Sequence, residues 1–252
     1  MQFLNLSPLI SIILAKLSTS RVIAALAIFA GEITLVGMKI LIIAGPTREP
    51  IDPVRFLTNR SSGKMGYTLA GAFIHEGHSV LLISGPTHLD VPEGADFIPV
   101  ETAAEMHEAV SHHIGRMDVA VLAAAVADYT PARVETQKIK KSGDTLTLDL
   151  VRTVDILGSA RELFGFTGTL VGFAAETENL EANAREKLTR KRCDLVIAND
   201  VSQPGLGFDS DRNEVHLVYP DRSEALPAAS KHELSLQLVD AIVGLKRLRV
   251  GG

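Results

Sequence analysis

The chain has 252 residues, 46% hydrophobic and 22% charged, with a formal net charge of −5 and a single cysteine, Cys193. This length and apolar content can bury a sizeable core, and they exclude a disordered chain. The negative balance excludes a general binder of nucleic acid or anionic membrane, which needs a cationic field. One cysteine excludes an intrachain disulfide and any multi-cysteine metal site, and it fits a reducing, cytoplasmic setting.

Residues 1–37 hold two short apolar runs, LNLSPLISIILA and RVIAALAIFAG, on either side of KLSTSR. Neither reaches the ~20 apolar residues of a membrane span. No basic residue precedes the first run, as a secretory signal would require. The segment reads as a membrane-associating extension, an unusual targeting segment, or translation begun upstream of the natural start. The last is favoured because Met38 stands directly before the first strand pattern. Residues 38–252 read as one domain, with no repeat or low-complexity linker dividing 38–248.

KILIIA (39–44) is a continuous apolar run, the pattern of a central parallel strand buried on both faces. A long polar loop follows, TREPIDPVRFLTNRSS, and then a helix over 63–77 with Met65, Leu69, Ala72 and Phe73 on one face. HSVLLISGPT and DFIPV read as strands, and Thr102 with Glu105 forms a capping box for a helix to about 115. MDVAVLAAAVADY is a strand and the loop after it. TLTLDLV (145–151) alternates, which predicts a half-exposed strand, with QKIKKSGD as the turn or lid before it. GTLVGFAAET is a buried strand, NLEANAREKLTRK a helix, and CDLVIANDV another strand. NEVHLVYPDRSEALP reads as a hairpin across Pro220-Asp221, and SKHE opens a last helix with a second capping box. This order implies an α/β fold, Rossmann-like and three-layered, with a mainly parallel sheet and small antiparallel hairpin elements. Ligands of such sheets bind at the carboxyl ends of the strands, where GPTREP, SGPT, AAVADY, GFAAET and ANDV all fall.

The first expectation for this architecture, an NAD(P)-dependent oxidoreductase, fails on its signature. The first loop reads GPTREP in place of G-x-G-x-x-G, and no acidic residue ends the second strand. The phosphate-binding P-loop fails too, with Thr58 where its glycine belongs and Met65 where its Ser/Thr belongs. Hydride transfer is therefore a weak alternative.

Other groups suit anions. Asn59-Arg60-Ser61-Ser62-Gly63 leads into a helix whose first N–H groups and positive end face the loop. A serine there serves as a helix cap in any protein, but Arg48, Arg55 and Asn59 in the same loop match a phosphate or carboxylate better. Lys138, Lys140 and Lys141 form a basic triplet that is otherwise a solvated charge run. Lys187 and Lys191, with Arg190, lie one helical turn apart after GFAAET. Two basic clusters suit a polyphosphate, with magnesium accompanying it. Asp128 is placed to accept from ribose hydroxyls or to act as a turn residue. Phe173 is either a stacking platform or core. The histidines show no metal-ligand spacing, and Cys193 reads as packing.

TREPIDPVRFLTNRSSGKMG, AAVADY, KIKK, GFAAET, ANDV and GFDSDRNEV occur in order, and over residues 39–246 the chain resembles the phosphopantothenate–cysteine ligases. The resemblance implies a stand-alone bacterial-type ligase, similar to the second half of the bifunctional coenzyme A enzyme, with a separate flavin-dependent decarboxylase in the same pathway. The implied reaction joins 4′-phosphopantothenate to L-cysteine. CTP activates the carboxylate as an acyl-cytidylate, and magnesium accompanies the triphosphate. Asn59 falls on the asparagine that acts on the acyl-cytidylate, Arg55 on the arginine of the same motif, and Lys138 on the nucleotide-binding lysine of KIKK. Arg48, Ser61, Ser62 and Gly63 are the expected phosphate or substrate contacts. Leu122, Ala123, Ala124, Asp128, Val154, Asp155, Ile156, Leu157, Phe173, Lys187 and Lys191 fall on CTP-contacting positions. Val154 departs from the pattern, which has proline there. The resemblance also implies a homodimer with the hairpin elements at its interface, giving TLTLDLV or NEVHLVY a second role. Two alternatives stand beside it: the same ligase using ATP, and a non-catalytic phosphopantothenate-binding module.

Overall fold

In the computed structural model, residues 37–141, 143–176, 178–200, 210 and 212–250 are described. The apolar runs of residues 1–36 and part of GFDSDRNEV lie outside the described residues. In chain order the first elements are β1 (Lys39–Ala44), β2 (Arg48–Pro50), β3 (Phe56–Thr58), α1 (Lys64–His75), β4 (Ser79–Ser84) and β5 (Asp96–Pro99). Then come α2 (Ala103–His113), β6 (Val119–Leu122), β7 (Tyr129–Pro131), β8 (Leu150–Arg152), α3 (Ile156–Glu162) and β9 (Thr169–Glu176). The last are α4 (Leu180–Lys191), β10 (Leu195–Asp200), β11 (Arg212–Val218), β12 (Ser223–Ser230) and α5 (Lys231–Val250).

Eight strands form one sheet in the order β12-β11-β10-β9-β6-β1-β4-β5. β1 pairs in parallel with β4 and β6, and the parallel ladder continues through β9 to β10. β11 and β12 complete one edge as the expected antiparallel hairpin, turning where the Tyr219 amide donates to Arg222 O at 2.9 Å.

Continuous apolar runs become central strands because both faces of the sheet are covered. Along β1, Ile40, Ile42 and Ala44 join a core with Leu69 and Phe73 of α1 and Leu234 and Leu238 of α5. Leu41 and Ile43 point the other way, to Met106 of α2, Ile156 and Ala160 of α3 and Leu188 of α4. Period-two alternation with two covered faces leaves no place for a polar residue in between. Both capping boxes form. Thr102 Oγ1 accepts from the Glu105 amide at 3.2 Å, and Ser230 Oγ from the Glu233 amide at 3.1 Å. Each glutamate returns a bond to its capping residue's amide.

TLTLDLV departs from the expectation. Only Leu150–Arg152 is a strand, and it pairs antiparallel with Tyr129–Pro131 outside the main sheet. Leu146 is 56% exposed and Val151 48%, so the alternation marks no buried face. The polar loop after β1 also contains structure not anticipated, since β2 and β3 form a three-residue hairpin. A short helix, α3, follows the Val154 stretch and was likewise not expected.

Candidate active site

The order of the sheet places its reversal between β1 and β6: the chain builds outward from β1 through β4 to β5, then from β6 through β9 to β10. At such a reversal the loops leave in opposite directions and open a crevice. Here a cleft of about 990 Å³ lies over these carboxyl ends.

Its floor is backbone. Beyond their last paired residues, the two central loops stay joined: the Ala125 amide donates to Gly45 O at 2.9 Å and the Thr47 amide to Ala125 O at 3.3 Å. Thr47 Oγ1 accepts from the Ala127 amide at 3.0 Å. Leu122, Ala123, Ala124 and Asp128 all line the cleft.

One wall is the loop 59–63 and the start of α1. The Asn59 carboxamide donates to Ala125 O at 3.0 Å, tying this wall to the floor. Neither serine occupies the capping position. Gly63 does, in the left-handed region at φ 77°, and it offers no side chain to the helix N-terminus. Only glycine holds this φ without strain, and an added Cβ would come within 2.8 Å of Thr87 Cγ2. Gly66, one turn on, lets α1 lie against β1: a Cβ there would be 2.6 Å from that of Ala44. Ser61, Ser62 and Gly63 line the cleft beside Asn59.

The opposite wall carries cations. Lys187, Arg190 and Lys191 of α4 line it, together with Phe173 and residues 154–157. Lys187 Nζ donates to Phe173 O at 2.7 Å. Burial pushes the Lys187 pKa below the ordinary lysine value, against the opposing pull of Glu176. Lys191 pairs with Asp155, which also caps α3 by accepting from the Gly158 amide at 2.9 Å. Burial works to raise the Asp155 pKa, but Lys191, the Gly158 amide and Arg190 outweigh it and hold the carboxyl below its usual range. The backbone of Ile156 and Leu157 is presented by this capped turn, and Val154, exposed before it, also lines the cleft. Phe173 packs partly against the core and also lines the cleft. Cys193 is buried, its thiol pushed up to about 12 by that burial, so it is packing.

Arg48, Arg55 and Lys138 do not line the cleft. Arg48 sits 4.7 Å over the Phe56 ring, and its amide donates to Glu101 O at 2.8 Å. Arg55 is turned onto Asp52, with Nε 3.0 Å and Nη2 2.5 Å from Oδ2. Its guanidinium, against the effect of burial, holds the Asp52 carboxyl well below the usual carboxylate range. Lys138 is exposed, beside a residue that this pair grips, Ile139.

The cleft also takes in two asparagines that are not among the expected contacts. Asn199 and Asn213 line it, and each has a buried Oδ1 without a hydrogen-bond partner. Asn199 belongs to ANDV, a polar end on an apolar run. Asn213 lies on the antiparallel edge, where the rule of strand ends gives no guidance. Among the described residues, no three histidine, cysteine or carboxylate side chains converge as metal ligands.

Residues 35–245 match the family model of the DNA/pantothenate metabolism flavoprotein C-terminal domain. The chain belongs to this family. It is 48% identical over 215 residues to the coenzyme A biosynthesis bifunctional protein CoaBC of Bacillus subtilis, covering 84% of this chain and 53% of that one. It thus spans about half the length of the curated relatives it matches. The crystal structure of the C-terminal domain of a CoaBC superposes with a TM-score of 0.71 at 41% identity, over 84% of this chain and 98% of that one. A mutant Cab2 in complex with phosphopantothenate-cysteine shares the fold, with a TM-score of 0.70 at 18% identity over 97% and 95% of the two chains. For this family, the Rossmann-like mainly parallel sheet with small antiparallel hairpins is the architecture.

Proposed function

We propose that the chain is a phosphopantothenate–cysteine ligase that activates its acid with CTP. One observation carries this reading most directly: a single cleft sets the Asn59–Gly63 loop and a helix N-terminus on one wall and Lys187, Arg190 and Lys191 on the other. The identity to CoaBC proteins, which are coenzyme A biosynthesis enzymes, supports it.

A carboxylate and an amine do not condense in water, because the oxygen to be expelled is a poor leaving group. In the proposed reaction the carboxylate of 4′-phosphopantothenate attacks the α-phosphorus of CTP. The bond from that phosphorus to the bridging oxygen breaks, and pyrophosphate leaves. The cysteine amine then attacks the carbonyl of the acyl-cytidylate; CMP leaves with the bonding electrons, and the amine gives up a proton. Lys187, Arg190 and Lys191 would offset charge on the triphosphate, where fixed cations in a partly buried site act more strongly than in water. Asn59 would donate to the intermediate without trapping it by charge. Magnesium would come with the triphosphate, whose oxygens it prefers together with waters and one or two carboxylates; Asp128 and Asp155 are the carboxylates lining the cleft.

The reading extends to assembly. Phe56, Tyr129, Leu146, Leu150 and Val151 are large apolar residues left exposed on or beside the two small sheets. A homodimer formed through these sheets would cover them. A separate decarboxylase acting on the ligase product in the cytoplasm completes the proposal.

The test is pyrophosphate release by the full chain given 4′-phosphopantothenate, L-cysteine, magnesium and either CTP or ATP. Release that depends on the acid and favours CTP is the expected result. A preference for ATP keeps the ligase and changes the nucleotide. Absence of release with both would overturn the enzyme reading.

A further inference from the structure

Asp52 is only 4% exposed, yet it lies in a short hairpin turn at the surface of the polar loop. Its two oxygens do different work. Oδ1 closes the turn, accepting from the amides of Val54 and Arg55, both at 2.9 Å. Oδ2 accepts from the Arg55 guanidinium and from the amide of Ile139 at 3.1 Å, a residue 87 positions away. Arg55 Nη2 returns a bond to Ile139 O at 3.1 Å. Both polar groups of one peptide residue are thus held by one ion pair. A second tie lies just upstream, where the Glu135 amide donates to Ile51 O at 3.0 Å. Ile139 stands between Lys138 and Lys140, and the described residues from 140 to 149 hold no regular structure.

We infer that Asp52 and Arg55 form a latch that fixes the lysine segment at Ile139 and thereby sets where Lys138 reaches. The inference rests on the ligase reading for the task of Lys138. It makes Arg55 a positioning residue, acting through the segment it holds and not on the reacting atoms. The buried carboxylate is what makes the latch specific, since a buried charge left without its partners is costly.

Asp52→Asn tests it, because the change is selective. The amide oxygen can keep the two turn bonds, while its nitrogen meets the Ile139 N–H and the guanidinium, donor against donor. Arg55→Lys is the second variant: a single ammonium lacks the fork that spans carboxylate and carbonyl together. In the substrate-free full chain, the Ile139 amide should exchange its hydrogen about tenfold or more faster in either variant. In the ligase assay, kcat/KM for the nucleotide should fall about tenfold or more. Combined with Lys138→Ala, neither latch variant should add more than a factor of about two to the loss from Lys138→Ala alone. Unchanged exchange at Ile139 would overturn the latch. Faster exchange with fully additive losses would overturn the positioning role and return Arg55 to direct contact with substrate. If the wild-type chain makes no ligase product, the function fails, and the exchange measurement still decides whether the latch exists.

Discussion

At the scale of single residues, Asn59 and Lys187 make the sharpest demands. The Asn59 side-chain Nδ2 donates to Ala125 O at 3.0 Å, so Asn59→Asp would set a carboxylate against a carbonyl oxygen and against the proposed intermediate together. Amide product should fall about a hundredfold or more, while the acyl-nucleotide accumulates; quenched single-turnover mixtures resolved by chromatography would show it. Lys187 gives a pH signature. Its folded pKa is lowered by burial, so it is a cation below that value and neutral above it. An anion bound by it is held below the lowered pKa and loosened as pH rises through it, before an ordinary lysine would titrate. The nucleotide KM should therefore climb on the alkaline side. In Lys187→Arg, whose guanidinium stays charged, that climb should be absent.

Among elements, one mostly buried ion pair ties α3, β9 and the start of β10 together. Arg161 Nη2 lies 2.8 Å from Asp194 Oδ2, which also accepts from the Leu170 amide at 2.8 Å. The same arginine donates to Phe166 O at 2.5 Å and Gly168 O at 3.0 Å. Arg161→Met takes the cationic partner from the carboxylate and the side-chain donor from these carbonyls, and urea unfolding should report a loss of roughly 3–5 kcal/mol. Gly66→Val would force α1 from β1, where even the first added carbon meets Ala44 at 2.6 Å; a loss of about 1–3 kcal/mol and weaker nucleotide binding should go together. β1, β4, β6, β9 and β10 are legible because the middle of a strand covered on both faces is a continuous apolar run, with polar residues only at its ends. TLTLDLV alternates as regularly as a half-buried strand, but Leu146, Leu150 and Val151 stay exposed. Alternation reports a possible face and not its burial. β2 and β3 have three residues each, too few for a period to show.

For the whole molecule, the two small sheets and the cleft divide the unusual residues between them. The residues expected at the cleft are found there when they sit at the ends of parallel strands or on the helices that follow, because topology alone carries them to that place. Arg48 lies on the three-residue strand β2, and Arg55 and Lys138 lie in irregular segments, whose course depends on tertiary hydrogen bonds such as those of Asp52, and composition says nothing of those. Asn213 reaches the cleft from an antiparallel edge that the strand-end rule ignores. If the exposed apolar residues of the small sheets meet in a dimer, Leu150→Asp with Val151→Asp should yield a monomer by light scattering, with the far-ultraviolet circular dichroism of the parent chain.

The joined loops of β1 and β6 have a further consequence for how such a pocket changes over time. What the floor offers to a guest is the peptide bond itself, the same for every encoded amino acid except proline. Mutation at 123–126 can narrow or widen the seat, yet it cannot swap a donor for an acceptor. A new preference among guests would have to arise from the walls, leaving the floor as inherited ground on which different chemistries can be tried.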